Sequence, residues 1–313
     1  MIRLVAGLVL LVLAALPGLA GPAAAQDKTI AFSFDDVPRQ AGAFFTPDER
    51  AIRLIAGLAE GGVAQAGFFV TPGNLGEDAG QGGEWRIRAY VAAGHVIANH
   101  SFGHTSLNEM TADEYLADVD QAQGWLDGMP GLRPWFRYPY LHEGRDRRRD
   151  AVRAGLARRG LLNAYVTVDN WDWHIDNLAN QAQRDGKALD MDALRDFYVE
   201  TLVSAAEHSD AVARDVLGRS PAQVILLHET DLNALFIADL AAGLQAAGWT
   251  IVPIEKAFAD PIAGREPDTF HLGGGRITAL AAEAGRDPGT LNHNSTNEGW
   301  LNAQFAARVL QGE

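Results

Sequence analysis

KTIAFSFDD, residues 28–36, is a short apolar strand that ends in two adjacent acids. Six similar stretches follow. AGFFV at 66–70, HVIANH at 95–100, PWFRYPY at 134–140, LLNAYVTV at 161–168, QVILLHE at 223–229 and TIVPI at 250–254 bring the predicted strands to seven. Helical patterns lie between them. Residues 48–60 carry Ile52, Ile55 and Leu58 on one face, and residues 111–126 open with Thr111 and Glu114 in capping-box spacing. Residues 191–217 and 231–247 give two more. Strands alternating with helices of ten or more residues mean a parallel sheet. Seven such units suit a closed or nearly closed β/α barrel better than an open doubly wound sheet. No G-x-G-x-x-G follows the first strand, which disfavours dinucleotide binding.

The flanks read differently. Met1-Ile2-Arg3, the apolar run Leu4–Leu16, the break at Pro17-Gly18 and Ala23-Ala24-Ala25 have the layout of a secretory signal peptide over residues 1–25. The run is short for a membrane anchor, and no second stretch resembles a membrane span. The expected destination of the mature chain is periplasmic or extracellular. After about Ala259 the strand–helix alternation stops. Residues 259–313, rich in Gly, Asn, Asp and Pro with one helical stretch near 300–310, read as a C-terminal extension to a catalytic domain over 26–258.

Composition narrows the function classes. Across 313 residues, 47% are hydrophobic and 21% charged, which is the range of a chain that builds a sizeable core. The net charge of −14 argues against a nucleic-acid partner, because a polyanion needs a basic footprint. The absence of cysteine removes disulfides, thiolate nucleophiles and thiolate metal sites together.

In β/α barrels the chemistry sits at the C-terminal strand ends, and the unusual polar residues fall there. Asp35 and Asp36 end the first strand, His100 and His104 the third, Arg137 the fourth and His228 the sixth, while Asp169, Asp172 and Trp173 follow the fifth. Each alone has a structural explanation; five coincidences on one barrel face are harder to explain that way. The i, i+4 spacing of His100 and His104 would place both imidazoles on one side of a helical turn, able to share a divalent ion. One carboxylate of the Asp35–Asp36 pair would complete a three-ligand site and leave the other free as a base. There is no H-E-x-x-H and no G-x-S-x-G, so zincin and serine-hydrolase mechanisms lack their markers.

SFDD at 33–36, HSFGH at 100–104, RYPY at 137–140, DNWDW at 169–173 and LLH at 226–228, in this order, resemble the five motifs of the NodB-type polysaccharide deacetylases, carbohydrate esterase family four. The resemblance spans about residues 28–258 and implies a distorted seven-stranded β/α barrel. It implies that Asp36, His100 and His104 bind a divalent metal, usually zinc in the family, with cobalt an alternative. Asp35 would be the general base and Arg137 its partner. The metal and the Tyr140 backbone N–H would stabilise the oxyanion. His228 would protonate the leaving amine with Asp172 aligning it, and Trp173 and Leu226 would hold the acetyl methyl. The implied reaction is removal of N-acetyl groups from N-acetylglucosamine units of a chitin oligomer, peptidoglycan or exopolysaccharide. An acetylxylan-type O-acetyl esterase and a glycan-binding barrel without chemistry are the alternatives. Leu141-His142-Glu143 after the third motif departs from the Gly or Asn usual there, and 174–221 is long for the family.

Other features carry weaker expectations. The seven arginines of 145–159 read as a solvated barrel helix rather than a dock for an anionic polymer. Of the tryptophans, Trp171 and Trp173 are expected at the cleft and most others in the core. His95 reads as structural; His142 and His174 lie near the motifs, and His271 and His293 in loops. Oligomeric state is open.

Overall fold

A computed structural model of the protein describes residues 27–76, 80–269 and 274–311; the leader at 1–25 and His271 lie outside them. All seven expected strands are present and parallel: β1 Lys28–Val37, β2 Gly67–Val70, β3 Val96–Asn99, β4 Leu132–Phe136, β5 Leu162–Asn163, β6 Gln223–His228 and β7 Trp249–Ile251. Their order is β5-β4-β3-β2-β1-β6, with β7 beside the first residues of β1. Val168 makes an isolated parallel bridge to Ile225, and its N–H and C=O both pair with β6. That bridge joins the two ends of the order, so the sheet curls into a distorted β/α barrel.

Three strand boundaries differ clearly from expectation. β7 stops at Ile251, three residues early. β4 stops at Phe136, and Arg137–Tyr140 lies in the turn beyond it. β5 keeps two residues of the eight predicted. The next carbonyls are engaged elsewhere: Ala164 O accepts from Arg137 Nε, and Val166 O accepts from the Arg276 N–H. A backbone group bonded to a side chain or a helix end is not free for a ladder.

The helices are α1 Pro47–Glu60, α2 Gly83–Ala92, α3 Ala112–Leu126, α4 Asp146–Arg158, α5 Asp172–Arg184, α6 Met191–Leu217, α7 Asp231–Ala246, α8 Ile254–Phe258, α9 Gly275–Glu283 and α10 Glu298–Arg308. α1 and α3 start at full capping boxes, Thr46 with Glu49 and Thr111 with Glu114. α2, α5, α8 and α9 are additional to the sequence expectation, α8 beginning at Ile254 where the seventh strand was expected to end. The signal for α5 lies in Ile175, Ala179 and Ala182, which recur at helical spacing and are buried. Strands covered on both faces are apolar throughout, and a stack of Phe34, Phe68 and Tyr90 fills the space under α1 and α2, with ring centroids 4.8 and 4.0 Å apart.

The C-terminal extension packs on this barrel. α9 and α10 lie against α6, and α10 also against α5, burying Ile277, Leu280, Leu301 and Phe305. Asp190 N–H donates to Val309 O beside an antiparallel bridge between Leu189 and Leu310. Among the described residues no helix is long and apolar enough to cross a membrane.

Candidate metal centre and cleft

Strand register brings the first two site residues together. Asp35 is the partner of His228 across the β1–β6 pair, so both side chains leave the sheet on one face. Asp36 would point to the other face by simple alternation. Its left-handed backbone, φ 64°, breaks that alternation, and both acids reach the same cleft.

His100 and His104 meet by a route the spacing did not anticipate. They are not on a helical turn. They flank a loop in which Ser101 and His104 are themselves left-handed, φ 67° and 50°. Left-handed non-glycine residues are costly and persist where surroundings impose them. Here Ser101 Oγ accepts the His104 N–H, and Asp118 of α3 accepts the N–H groups of Phe102 and Gly103 at 2.8 and 2.9 Å. His100 Nδ1 lies 2.9 Å from Arg137 O, a bond in which the nitrogen must donate. That leaves Nε2 as the ring atom facing the cleft.

Asp36 Oδ1 is 2.9 Å from His104 Nε2 and 3.4 Å from His100 Nε2. It is buried without a hydrogen-bond partner among the described residues. Asp36 Oδ2 receives Arg39 Nη1 at 2.7 Å. Burial opposes the Asp36 charge, but the imidazoles of His100, His104 and His228 and the Arg39 guanidinium outweigh it and hold the carboxyl well below its usual range. One carboxylate oxygen and two imidazole nitrogens within 4.8 Å of one another, with the oxygen orphaned, fit a divalent cation of the zinc class.

Asp35 is buried beside this group and accepts from Arg137 Nη1 at 2.8 Å. The guanidinium is wedged in place. Nε reaches Ala164 O, Nη1 also reaches Ser33 Oγ at 3.2 Å, and the cation lies 3.9 Å from the Phe69 ring centre. Burial lowers the Arg137 pKa, and Asp35 opposes that.

Opposite, His228 Nδ1 is 2.6 Å from Asp172 Oδ1, and the His228 N–H donates to Asp172 Oδ2 at 2.8 Å. Asp172, the first residue of α5, is fully buried, receives Asn233 Nδ2 at 2.9 Å and donates its own N–H to Asn170 Oδ1. Burial would lower the His228 pKa, but Asp172 and then Asp36 outweigh it and raise it above the ordinary value of 6.5.

Asp35, Asp36, His100, His104 and His228 line a cleft of about 680 Å³ together with Trp173, Leu226 and Tyr140, while Arg137 and Asp172 lie buried behind them. Leu226 is buried and Trp173 half-buried, while Tyr140 is exposed at the rim with its ring 4.6 Å from that of His104. The backbone of Tyr140 is left-handed as well. His142 lines the cleft, with Nδ1 2.8 Å from Ser106 Oγ. His174 is turned away, to Asn302. Trp171 lies in the cleft as expected, whereas Trp85 is half exposed rather than packed. His95 accepts the Ala66 N–H inside the fold, and burial takes its pKa down to about 4.

Four lining residues were not singled out from the sequence, Arg39, Asn170, Asn292 and Thr296, while Asp169, noted there at the strand end without a role, also lines the cleft. Arg39, three residues after Asp36, had a proximity signal. Its loop is tied down by buried groups: Glu229 accepts the Arg39 N–H at 2.7 Å, and Arg50 donates to the carbonyls of Arg39 and Gln40. Asp169 is raised to about 6 by burial against the Gly274 N–H. Asn292 and Thr296 arrive from the extension, where Ser295 O accepts the Trp171 N–H, and no local pattern points to the cleft.

Residues 23–158 match the family described as polysaccharide deacetylase. Among solved structures, a polysaccharide deacetylase from Bacillus cereus is similar at TM-score 0.50 and 19% identity, over 72% of this chain and 91% of its own. A family 4 carbohydrate esterase from Streptomyces lividans, in complex with acetate, gives 0.48 and 21%, over 74% and 97%. A family 4 pseudoenzyme from Bacillus anthracis gives 0.50 and 17%, over 74% and 65%. No curated protein matches the chain. At these identities the likeness concerns the fold, and a fold that also hosts a pseudoenzyme leaves activity to be argued from residues.

Proposed function

We propose, from the match of residues 23–158 to the polysaccharide deacetylase family, that this protein is an exported, metal-dependent hydrolase removing N-acetyl groups from an N-acetylglucosamine-containing glycan. The observation that carries the reading is one cleft holding the Asp36–His100–His104 group, the Asp35–Arg137 pair and the His228–Asp172 pair.

A divalent cation, zinc in our reading, held by Asp36, His100 and His104 would supply a Lewis acid that acidifies water and polarises a carbonyl. The remaining roles fall to side chains. Asp35, kept in place by Arg137, takes a proton from the attacking water as the new C–O bond forms. His228, protonated and aligned by Asp172, gives a proton to the nitrogen as the C–N bond breaks, so acetate and a free amine leave. Trp173 and Leu226 offer the acetyl methyl an apolar wall, and Tyr140 at the rim offers its backbone N–H to the oxyanion. Without a proton the nitrogen would have to leave as an amide anion, a far poorer leaving group than an alkoxide, so the amide reaction depends on His228 more than an ester reaction would.

The test is acetate release from chito-oligomers, peptidoglycan, poly-N-acetylglucosamine and acetylated xylan, before and after chelation and zinc or cobalt replacement. Release from an N-acetylated glycan, abolished by chelation and restored by metal, is expected. Full activity in exhaustively chelated protein, or turnover of acetylated xylan alone, would overturn the reading.

A further inference from the structure

The C-terminal extension brings one segment, 291–296, to the cleft, where Asn292 and Thr296 form part of the wall. The segment is pinned from two sides. On α6, His208 Nε2 donates to Leu291 O at 2.9 Å, and Ser204 Oγ lies 3.0 Å from His293 Nε2. His293 Nδ1 accepts the Ser295 N–H at 3.1 Å, which requires a neutral ring, and burial with the nearby His208 takes its pKa down to about 4. From the other side, Ser295 O accepts the Trp171 N–H at 2.9 Å, and the Gly274 N–H just before α9 donates to Asp169 Oδ2 at 3.0 Å. Ser295 itself is 1% exposed. A loop fixed in this way on rigid elements can hold a binding residue in place.

The chemistry of this wall points to what it meets. Asn292 is exposed, and its amide makes no hydrogen bond among the described residues. Thr296 Oγ1 donates to His293 O at 3.0 Å and keeps its lone pairs for a further donor. Trp171, half-buried against the apolar core, lines the same cleft with its ring centre 5.6 Å from that of Trp173. An indole beside an open amide and a hydroxyl suits a ring with C–H faces and hydroxyl edges, which is a sugar. None of these side chains is charged. Of the cleft's cations, Arg39 is taken by Asp36 at 2.7 Å and His228 by Asp172 at 2.6 Å. Asp169, the ionisable group tied to this wall, is an acid and repels an anion. The cleft's 680 Å³ falls within the ~300–1,000 Å³ of sites that enclose a whole small ligand, far more than one acetyl group fills.

We propose that the 291–296 segment is a specificity loop: Asn292, with Thr296 and Trp171, holds the sugar unit next to the one losing its acetyl group and selects a neutral unit over an acid-bearing one. This rests on the deacetylase reading above. The test is steady-state acetate release by the metal-loaded full chain from N-acetylglucosamine, its dimer and its tetramer, and from a peptidoglycan-derived tetramer whose alternate units carry a lactyl carboxylate. Wild-type kcat/KM should rise about tenfold from monomer to dimer, as one stacking contact and one hydrogen bond are added, and should be lower on the acid-bearing tetramer than on the neutral one. Asn292→Ala should raise KM on the neutral tetramer about 2- to 10-fold, the scale of one hydrogen bond, with kcat unchanged. Its bound metal and its rate on an aryl acetate, which has no neighbouring sugar, should match the wild type. Equal wild-type kcat/KM on monomer and dimer, or on the two tetramers, would overturn this inference alone, whether or not the variant folds; so would an Asn292→Ala protein with wild-type KM. No release from any of these glycans by the wild type would overturn the deacetylase reading and this inference with it.

Discussion

Asp35 and Asp36 are adjacent in sequence, yet their surroundings separate their roles. Asp35 is bonded to Arg137, whereas Asp36 turns an orphaned oxygen toward two imidazoles. Asp35→Asn should keep bound metal and lose most acetate release; Asp36→Asn should lose metal first. Metal content by elemental analysis beside initial rates distinguishes the two, and the reverse pattern would exchange the roles. For His228, replacement by Ala should cost on the order of 10²–10⁴ in rate on an N-acetyl substrate, the usual scale of general acid catalysis. The loss should be smaller on an aryl acetate, whose leaving group needs little protonation. The raised pKa of His228 also fixes the pH dependence. As the acid it must be protonated, so the alkaline limb of the rate profile should lie above pH 6.5, and Asp172→Asn should move it downward. Stability follows the same sign. The His228–Asp172 pair stabilises the fold fully below the unfolded value of about 6.5, and that contribution is lost as pH rises through the raised folded value. Denaturant midpoints measured from pH 6 upward should therefore fall more steeply in the wild type than in Asp172→Asn.

At the scale of elements, helices meet where side chains are smallest. α1 crosses α7 at Gly57 and Gly61, where a Cβ would lie 2.5 Å from Ile237 Cγ2 and 2.7 Å from Ala241 Cβ. Ile237 Cγ2 sits on the branch point and can yield only by a χ1 rotation. Ala241 Cβ has no such freedom, so Gly61→Ala must push α7 itself. Overpacking of this kind costs about 1–3 kcal/mol, read as a lower urea midpoint with an unchanged slope. An unchanged midpoint would mean that the helices separate freely. Element existence was legible because strands buried on both faces are apolar runs and because Thr46–Glu49 and Thr111–Glu114 announce helix starts. β5 was less so: LLNAYVTV has strand composition throughout, but side-chain and helix-end bonds to its carbonyls halt the ladder after Asn163.

Taken as a whole molecule, the barrel and its extension share one core. Phe305 of α10 is 3% exposed in the same apolar cluster as Phe34 and Phe68. Phe305→Ala should cost about 3–5 kcal/mol, the range for a buried Phe, and calorimetry on the full chain checks it; a change below 1 kcal/mol would mean the extension is only draped on the barrel. What was readable in the residues was the part with local or ordered signals. Apolar runs gave seven parallel strands, and polar residues at their ends gave Asp35, Asp36, His100, His104, Arg137, Asp172 and His228, because a strand end projects its last side chains into the loops of one barrel face. What only tertiary structure decided was how those residues converge and what joins them. Left-handed backbone at Asp36, Ser101 and His104 turns side chains that regular geometry would send apart, and such conformations are imposed by distant contacts such as Asp118 with the 102–103 amides. Arg39, Asn292 and Thr296 enter the cleft through long-range packing. Contacts between residues more than a hundred positions apart leave no periodic trace in either partner, so the sequence pattern carries the strand ends and the folded chain supplies the constellation.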